Sequence, residues 1–232
     1  MLGTIVNALA IIAGGLLGSF VIPSFPEQVK KTVMHGIGLA VLLIGTTMAM
    51  QAENLLVVIG SLVLGGLTGE ALRIEEVLQR LGEALKKKAG LRGGDVANAF
   101  VTTSLVYCVG AMAVTGALEG GLTGNHSTLF AKSMLDGISA IVFSSSMGVG
   151  VVFSALPVFV YQGTISLMAK WAAGFLSQAV VAEITAVGGL LIVGIGLNIL
   201  EVAQIRVGNL VPAILFAALL TLGAIRVGAL PG

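Results

Sequence analysis

Long apolar runs constrain this chain more than any other feature of its sequence. A helix needs about 20 apolar residues to cross the hydrocarbon core of a bilayer. Runs of that length cover 2–22, 33–50, 54–72, 96–118, 161–181, 184–202 and 208–226. A further run, 129–160, is longer and contains serines and glycines. The sequence therefore predicts an all-α integral membrane protein, a single membrane domain over 1–232 with about eight transmembrane helices.

The composition agrees with lipid as the solvent of this chain. Of its 232 residues, 56% are hydrophobic and 10% are charged, too few charges to cover the surface of a soluble domain. The formal net charge of +1 provides no basic surface for nucleic acid. The single cysteine, Cys108, excludes an internal disulfide. We find no catalytic triad, phosphate-binding loop or zinc-ligand spacing, so we expect neither an enzyme nor a protein that holds a metal or cofactor.

Basic residues in the loops predict the orientation, because cytoplasmic loops carry an excess of Lys and Arg. Lys30 and Lys31 lie in the first loop, and six basic residues lie in the third, between 73 and 92. The second and fourth loops, 51–54 and 119–128, contain no Lys or Arg. We therefore expect the N-terminus outside and the first apolar run to be a retained helix.

The segment 74–92 has the pattern of an amphipathic helix. Apolar residues recur on one face, and the opposite face is charged: the apolar set is Ile74, Val77, Leu78, Leu81 and Leu85. We expect a cytoplasmic helix that connects two parts of the chain and lies on the inner membrane surface. The functional alternative is a helix that binds a partner or anionic lipid.

An internal duplication relates the two ends of the chain. The segment 3–16 shares six identities with 163–176 at one fixed offset, and matches continue from 38–45 to 189–196 and from 58–73 to 211–226. The predicted three-helix repeats are 2–73 and 161–227, with linker helices over 96–160. Each repeat has an odd number of crossings, so the number of times that 129–160 crosses the membrane decides whether the second repeat is inverted or parallel relative to the first. One broken helix there makes the repeats inverted, which we prefer, and a hairpin makes them parallel.

Asp136 is the first candidate for a functional residue. It lies within the apolar run 129–143, and a charge in hydrocarbon costs at least about 2.5 kcal/mol unless it is paired or faces water. Lys132, one turn earlier, is close enough to pair with it. Two interpretations follow: a structural Lys132–Asp136 ion pair, or a carboxylate that binds an ion or a proton.

Other polar residues in the predicted spans extend the candidate site. Hydroxyls and freed carbonyls at a break in the helix can coordinate a cation or a polar substrate. Serine hydroxyls can instead bond back to carbonyls of their own helix. The residues that supply these groups are Ser144, Ser145, Ser146, Gly148 and Gly150. Among the amides within spans, Asn7 and Asn198 are candidates for the same site, with interhelical hydrogen bonding as the alternative.

Two glutamates are expected outside the site. For Glu70, the sequence predicts an interfacial pair with Arg73. Glu183 is expected to be solvated at a helix end.

Six segments carry a family resemblance. They are Gly3-Thr4-Ile5-Val6-Asn7, Gly14-Gly15, Cys108-Val109-Gly110-Ala111-Met112, Gly121-Leu122-Thr123-Gly124, Lys132-Ser133-Met134-Leu135-Asp136-Gly137 and Ser154-Ala155-Leu156-Pro157-Val158. In these segments, which extend over essentially the whole chain, the sequence resembles the YqgA/YdfK family of bacterial membrane proteins (domain of unknown function 554). The resemblance implies a multi-pass protein of the bacterial cytoplasmic (inner) membrane. It implies no particular substrate or active site.

The sequence as a whole favours a small transporter or channel-like protein for an ion or small polar solute. Its site is expected at the repeat interface, near the break in 129–160. The alternative is a non-transporting membrane scaffold or sensor that acts through the basic amphipathic helix. The Gly-xxx-Gly spacings favour a homodimer as well as close packing within one chain.

Overall fold

The computed structural model of the chain describes residues 1–21, 27–88, 96–108, 111–172 and 177–228, and these residues are helical with short connections. They divide into two compact units. The first comprises Met1–Ile37, Val77–Cys108 and Met112–Lys170, and the second comprises Gly38–Glu76, Val109–Ala111 and Trp171–Gly232. The predicted repeats therefore do not coincide with the units, because 2–37 of the first repeat and 161–170 of the second lie in the first unit and the rest of each repeat lies in the second.

The first unit is built around two parallel helices. Its elements are α1 (Leu2–Val21), the first part of α2 (Glu27–Ala49), α5 (Val96–Cys108), α6 (Ala111–Leu122), α7 (Ser127–Met147), a 3-10 helix (Val149–Ser154) and α8 (Ala155–Leu167). A Cβ on Gly14 would lie 2.2 Å from the carbonyl oxygen of Gly137, and one on Gly18 would lie 2.2 Å from that of Ile141. Glycine at these two positions lets α1 and α7 pack with their backbones in contact.

The chain reverses direction at Gly148. Helix α7 ends at Met147, and Gly148 has φ +86° and ψ −172°, a conformation that residues with a side chain rarely adopt. Gly15 of α1 packs on Val152, and the amino group of Met1 lies 3.5 Å from Ser166, so the 3-10 helix and α8 run antiparallel to α1. The segment 129–160 is thus interrupted where serines and glycines cluster, and its two arms form a hairpin.

The second arm of this hairpin corrects the predicted spans. The run expected at 161–181 is not one helix: α8 ends at Leu167, α9 covers Ala169–Ala172, and a new helix begins at Gln178. A candidate span begins instead at Val149 and continues as one apolar stretch to Leu167. The hairpin's second arm therefore contains Gly163-Thr164-Ile165, where the sequence places the start of the predicted second repeat.

The second unit contains the remaining long helices. These are α2 from Gly38 onwards, α3 (Leu55–Leu72), α10 (Gln178–Ile199), α11 (Val207–Leu210) and α12 (Pro212–Arg226). Asn54 caps α3, because its side chain accepts hydrogen bonds from the backbone N–H groups of Leu56 and Val57. A Cβ on Gly65 would lie 2.4 Å from the backbone of Ala213, so α3 and α12 also pack closely.

Helix α4 (Ile74–Lys88) forms within the predicted amphipathic segment 74–92, of which 89–92 lie outside the described residues. Glu75 and Glu76 occupy its first turn, where a negative charge is favourable next to the positive end of the helix dipole.

Five of the described helical stretches are long and apolar enough to cross a membrane. They are Leu2–Phe20, Leu55–Leu72, Val149–Leu167, Gln178–Ile199 and Val207–Arg226. Helices α5 and α6, bent by 60° relative to each other, make a sixth if they form one span. In α2 only His35–Ala49 is apolar, and α7 carries Lys132 and Asp136. The structure therefore shows a helical protein with at least five candidate spans, and a count of eight stays a prediction.

Candidate functional site

Helix α7 carries a buried stripe that faces α1. Lys132, Asp136, Ala140 and Ser144 follow at four-residue intervals and so share one side of the helix, and all four are buried. Ala140 packs against Gly14 of α1. This apolar contact separates two polar clusters, one around Asp136 and one around Ser144, whose centres on α7 are about 12 Å apart at 1.5 Å per residue.

The first cluster surrounds the carboxylate of Asp136. Lys132 Nζ lies 2.9 Å from each carboxylate oxygen, and both side chains are nine-tenths buried. Asn7 Nδ2 of α1 donates to Asp136 Oδ2 at 2.9 Å. The pair is therefore desolvated; its two charges balance each other, and the amide of Asn7 adds a hydrogen bond to the carboxylate.

Helix α8 completes the first cluster through Gln162. Asn7 Nδ2 also points at Gln162 Oε1, at 3.4 Å, and both amides are fully buried. Their remaining polar atoms, Asn7 Oδ1 and Gln162 Nε2, have no hydrogen-bond partner within the described chain, and neither has Thr4 Oγ1 one turn before Asn7. The cluster thus offers an acceptor, a donor and a hydroxyl that the protein itself does not use.

Sequence reasoning missed Gln162 and Thr4. Gln162 is an amide inside an apolar run, which is the signal that singled out Asn7. It was overlooked because it stood at the edge of the run expected to begin at 161, whereas the structure places it within α8, one turn before the helix ends.

The second cluster lies at the turn after α7. Ser144 Oγ is 2.7 Å from the carbonyl oxygen of Gly15, 3.1 Å from that of Gly148 and 2.5 Å from Ser19 Oγ. Ser19 Oγ is itself 2.8 Å from the carbonyl oxygen of Gly15. Ser19 is a member that the sequence analysis did not identify.

The other predicted members of this cluster have different surroundings. Ser145 Oγ donates to the carbonyl oxygen of Val142 in its own helix. Ser146 is half-buried. Gly150 allows close packing, since a Cβ there would lie 2.6 Å from the carbonyl oxygen of Val96.

Asn198 belongs to the second unit, where it organises a loop. Its side chain donates to the carbonyl oxygen of Ile205 and accepts from the N–H of the same residue, at 2.7 and 2.8 Å. These two bonds account for the amide, and they make it a structural residue of the turn that follows α10.

Two expectations about glutamates were wrong. Glu183 is fully buried, not solvated, and its Oε1 accepts from the N–H groups of Glu53 and Asn54 at 2.9 and 2.6 Å. Glu70 contacts Arg206 at 3.0 Å and Asn209 at 2.6 Å rather than pairing with Arg73. Both errors have one reason: the partners come from segments far away in the sequence.

An apolar groove of about 440 Å³ lies beside the first cluster, between α1 and the hairpin's second arm. Ile5, Ile12, Val152 and Phe159 are among its lining residues. Within the described residues, no group of three or more His, Cys, Asp or Glu side chains is arranged to hold a metal ion.

Together, the five apolar helical stretches and the charged cluster buried between α1, α7 and α8 are typical of a helical membrane protein. The chain belongs to the family described as protein of unknown function (DUF554), whose family model matches residues 2–222. It is 32% identical over 219 residues to the uncharacterized membrane protein YdfK of Bacillus subtilis (strain 168), covering 93% of each chain. It is 30% identical over 224 residues to the uncharacterized protein YqgA of Escherichia coli (strain K12), covering 94% of each chain. No solved structure matches this chain.

Proposed function

We propose that this protein is a small membrane transporter or channel for an ion or small polar solute, and that the cluster around Asp136 is its site. One observation carries the proposal: among the described residues, three buried polar atoms, of Thr4, Asn7 and Gln162, have no hydrogen-bond partner, and Asn7 also donates to the carboxylate of the buried ion pair. The chemistry needs no bond to be made or broken, so the protein acts as a permease and not as an enzyme.

The free-energy cost of unpartnered buried polar groups favours a cluster that binds a ligand over a cluster with a purely structural role. An unpartnered buried polar group costs about 1–3 kcal/mol, and three of them cost several times that. A structural Lys132–Asp136 pair does not need Gln162 or Thr4. A solute with a donor and an acceptor would bond to both amides, and so offset the cost while it is bound.

The relation between the repeats supports the same proposal. In the second unit, a Cβ on Gly45 would meet Val193, and one on Gly196 would meet Leu42. Likewise Gly38 lies against Leu200, and Gly189 against Ala49. In the repeat alignment, the contact of Gly45 with Val193 is equivalent to that of Gly196 with Leu42, and the contact of Gly38 with Leu200 to that of Gly189 with Ala49. As residue numbers rise along α2, the numbers of the contacting residues on α10 fall, so α2 and α10 are antiparallel. In the first unit α1 and α8, the first helices of the repeats, are antiparallel as well.

Antiparallel packing of equivalent helices is the geometry of an inverted repeat. In secondary transporters of that plan, the substrate binds near the midplane, between the repeats and next to interrupted helices. The amides of Asn7 and Gln162 meet between α1 and α8, which belong to different repeats. We infer eight crossings of a bacterial inner membrane, with both termini outside.

The proposal is tested with purified protein in liposomes, by screening ion fluxes and osmotic swelling in small polar solutes. We expect protein-dependent flux of at least one ion or solute, and its loss in Asp136→Asn. Glu119→Gln is the matched control, because Glu119 also accepts hydrogen bonds, from Asn125 and Thr128, but lies in the last turn of α6, away from the Asp136 cluster. Flux that equals that of empty liposomes throughout, or equal loss in both variants, contradicts the proposal.

The alternative function is a non-transporting scaffold or sensor, and the observation that favours it is α4, which has one apolar and one charged face. The scaffold alternative predicts that the fluorescence of a fluorophore attached to a cysteine in place of the exposed Glu83 changes when anionic lipid is added. It also predicts that Lys87→Glu removes this change. A lipid response combined with no flux of any ion or solute would favour the scaffold.

A further inference from the structure

The amides of Asn7 and Gln162 are held in fixed orientations by their neighbours. Asn7 Nδ2 donates to Asp136 Oδ2 at 2.9 Å and points at Gln162 Oε1 at 3.4 Å. An amide nitrogen has two protons, and these two acceptors account for both. The two buried atoms left without a partner among the described residues are therefore of opposite kinds: Asn7 Oδ1 is an acceptor, and Gln162 Nε2 is a donor.

The charges next to these amides are already balanced. Lys132 Nζ lies 2.9 Å from both carboxylate oxygens of Asp136, and neither residue has a second charged partner among the described residues. A bound cation would be repelled by the Gln162 N–H groups, and a bound anion by Asn7 Oδ1. Moving either ion out of water without a counter-charge is costly. The cluster therefore favours an uncharged ligand.

A carboxamide has the donor and the acceptor that the free amide atoms lack. Its carbonyl oxygen accepts from a group such as Gln162 Nε2, and its N–H donates to a group such as Asn7 Oδ1. The two free atoms belong to different side chains and do not bond to each other. A ligand group that carries its donor and its acceptor on two different atoms is therefore suited to bridge them.

Polar side chains line the approach to the amides from one end of the helices. Thr4 lies one turn before Asn7 on α1, and Ser166 lies one turn after Gln162 on α8. Because α1 and α8 are antiparallel, both residues lie on the same side of the amides. Thr4 Oγ1 is buried without a partner, and Ser166 Oγ lies 3.5 Å from the amino group of Met1. A polar ligand thus has hydroxyl contacts along this approach.

The opposite approach is closed by backbone packing. A Cβ on Gly14 would lie 2.2 Å from the carbonyl oxygen of Gly137 and 3.1 Å from the side chain of Ala140. These contacts leave no room between α1 and α7 on that side. A ligand therefore reaches the amides from the end at which α1 begins.

We propose that the free amide atoms bind an uncharged solute that carries a carboxamide group. Gln162 Nε2 donates to the carbonyl oxygen of the solute, Asn7 Oδ1 accepts from its N–H, and the Thr4 hydroxyl adds a third contact. No covalent bond is made or broken. The inference rests on the proposed function, since it names the class of solute that the Asp136 cluster takes.

Three probes of one shape separate the effect of charge from that of size. Acetamide is neutral and has a donor and an acceptor, acetate is an anion with acceptors only, and acetamidinium is a cation with donors only. Saturation-transfer NMR on their methyl protons measures binding to the whole protein in nanodiscs of zwitterionic lipid, with protein-free nanodiscs as the blank. We expect saturable binding of acetamide, and binding of the two ions that is weaker by about tenfold or more.

Two variants remove the proposed contacts at nearly constant side-chain volume. Thr4→Val and Gln162→Met should each weaken acetamide binding severalfold, up to about tenfold, as expected for one lost hydrogen bond. Thr4→Val should unfold at or above the wild-type temperature, because it removes an unpartnered buried hydroxyl. Thr164→Val is the matched control. Thr164 is equivalent to Thr4 in the predicted repeats, but its hydroxyl donates to the carbonyl oxygen of Val160 in its own helix, so binding should not change.

Three results overturn the inference. The first is acetamide binding no greater than that of protein-free nanodiscs, as from a cluster that holds only water. The second is acetate or acetamidinium bound as tightly as acetamide. The third is equal acetamide binding in Thr4→Val, Gln162→Met and Thr164→Val, because the ligand then lies elsewhere.

Failure of the proposed function gives a different result. Acetamide bound by a protein that shows no flux in liposomes keeps the site and removes the transporter. Flux of an ion by a protein that does not bind acetamide keeps the transporter and removes the carboxamide as its solute.

Discussion

At the scale of single residues, the side chain that most needs explanation is Asp136. Each of its carboxylate oxygens has a donor within 2.9 Å, from Lys132 on the same helix and from Asn7 on α1. A buried pair of this kind contributes little net stability relative to apolar residues of the same size, but leaving one partner alone is costly. The proposed function gives the pair a role besides stability.

Replacement of the pair separates these contributions. Asp136→Leu leaves the Lys132 ammonium buried and unpaired, and we expect it to lower the free energy of unfolding by about 3–5 kcal/mol. The double variant Lys132→Met/Asp136→Leu should recover most of that stability while remaining inactive in the flux assay. Thermal unfolding in nanodiscs measures both.

The exposed pair of the second unit is the control for this prediction. Arg206 and Glu70 are also 3.0 Å apart, but their side chains are 71% and 61% exposed. Arg206→Met should therefore cost less than about 1 kcal/mol. Equal losses at the two pairs, or a single Asp136→Leu variant as stable as wild type, would show that Lys132 finds water or another partner.

At the scale of helices, the parallel packing of α1 on α7 positions both polar clusters. Gly14 and Gly18 bring the two backbones together, and Asn7 and Ser19 then reach Asp136 and Ser144. An added methyl group on Gly18 would collide with backbone, which cannot move aside as a flexible side chain can. The small residues therefore matter for the site as well as for packing.

Gly18→Ala tests this role. We expect a loss of about 1–3 kcal/mol in the free energy of unfolding, because α1 must move away from Ile141. Gly36→Ala in α2 is the matched control, since a Cβ there meets nothing within 4 Å. It should be neutral or stabilise the protein by up to about 1 kcal/mol. Equal changes in the melting temperatures of Gly18→Ala and Gly36→Ala would contradict close packing at Gly18.

Gly148 tests the turn itself. A Cβ there also meets nothing within 4 Å, so any cost arises from its backbone conformation at φ +86°. We expect Gly148→Ala to destabilise the protein by about 1–3 kcal/mol. Gly223→Ala, which is equally free of contacts but lies within α12, should not. A wild-type melting temperature in Gly148→Ala would mean that the hairpin turn has another backbone conformation.

At the scale of the whole molecule, the order of equivalent helices predicts where the termini lie. On the proposed count of eight crossings, α8 belongs to the second repeat and the linker crosses twice, through α5 with α6 and then α7. Two crossings invert the second repeat, which agrees with the antiparallel packing of α2 on α10. The N-terminus and C-terminus are then on the same side of the membrane.

Cysteine accessibility measures this topology directly. On a Cys108→Ser background, we expect single cysteines at Lys170 and at Gly232, which lies outside the described residues, to react with an impermeant reagent from outside. A cysteine at Ser145 should react only from the cytoplasmic side. Labelling of Gly232 from inside would make the repeats parallel and remove the structural basis for a site between inverted halves.

The sequence by itself determined that this is a helical membrane chain, because twenty-residue apolar runs and the distribution of basic loop residues are local properties. It also identified the Lys132–Asp136 spacing and the break near Gly148, since partners one turn apart and a glycine among serines are visible without a fold. Only the tertiary structure decided what faces them. Gln162, Ser19 and the burial of Glu183 depend on side chains separated by 125 to 155 residues. Such contacts arise when glycine-rich helices pack, and the packing depends on whole surfaces that no local pattern records.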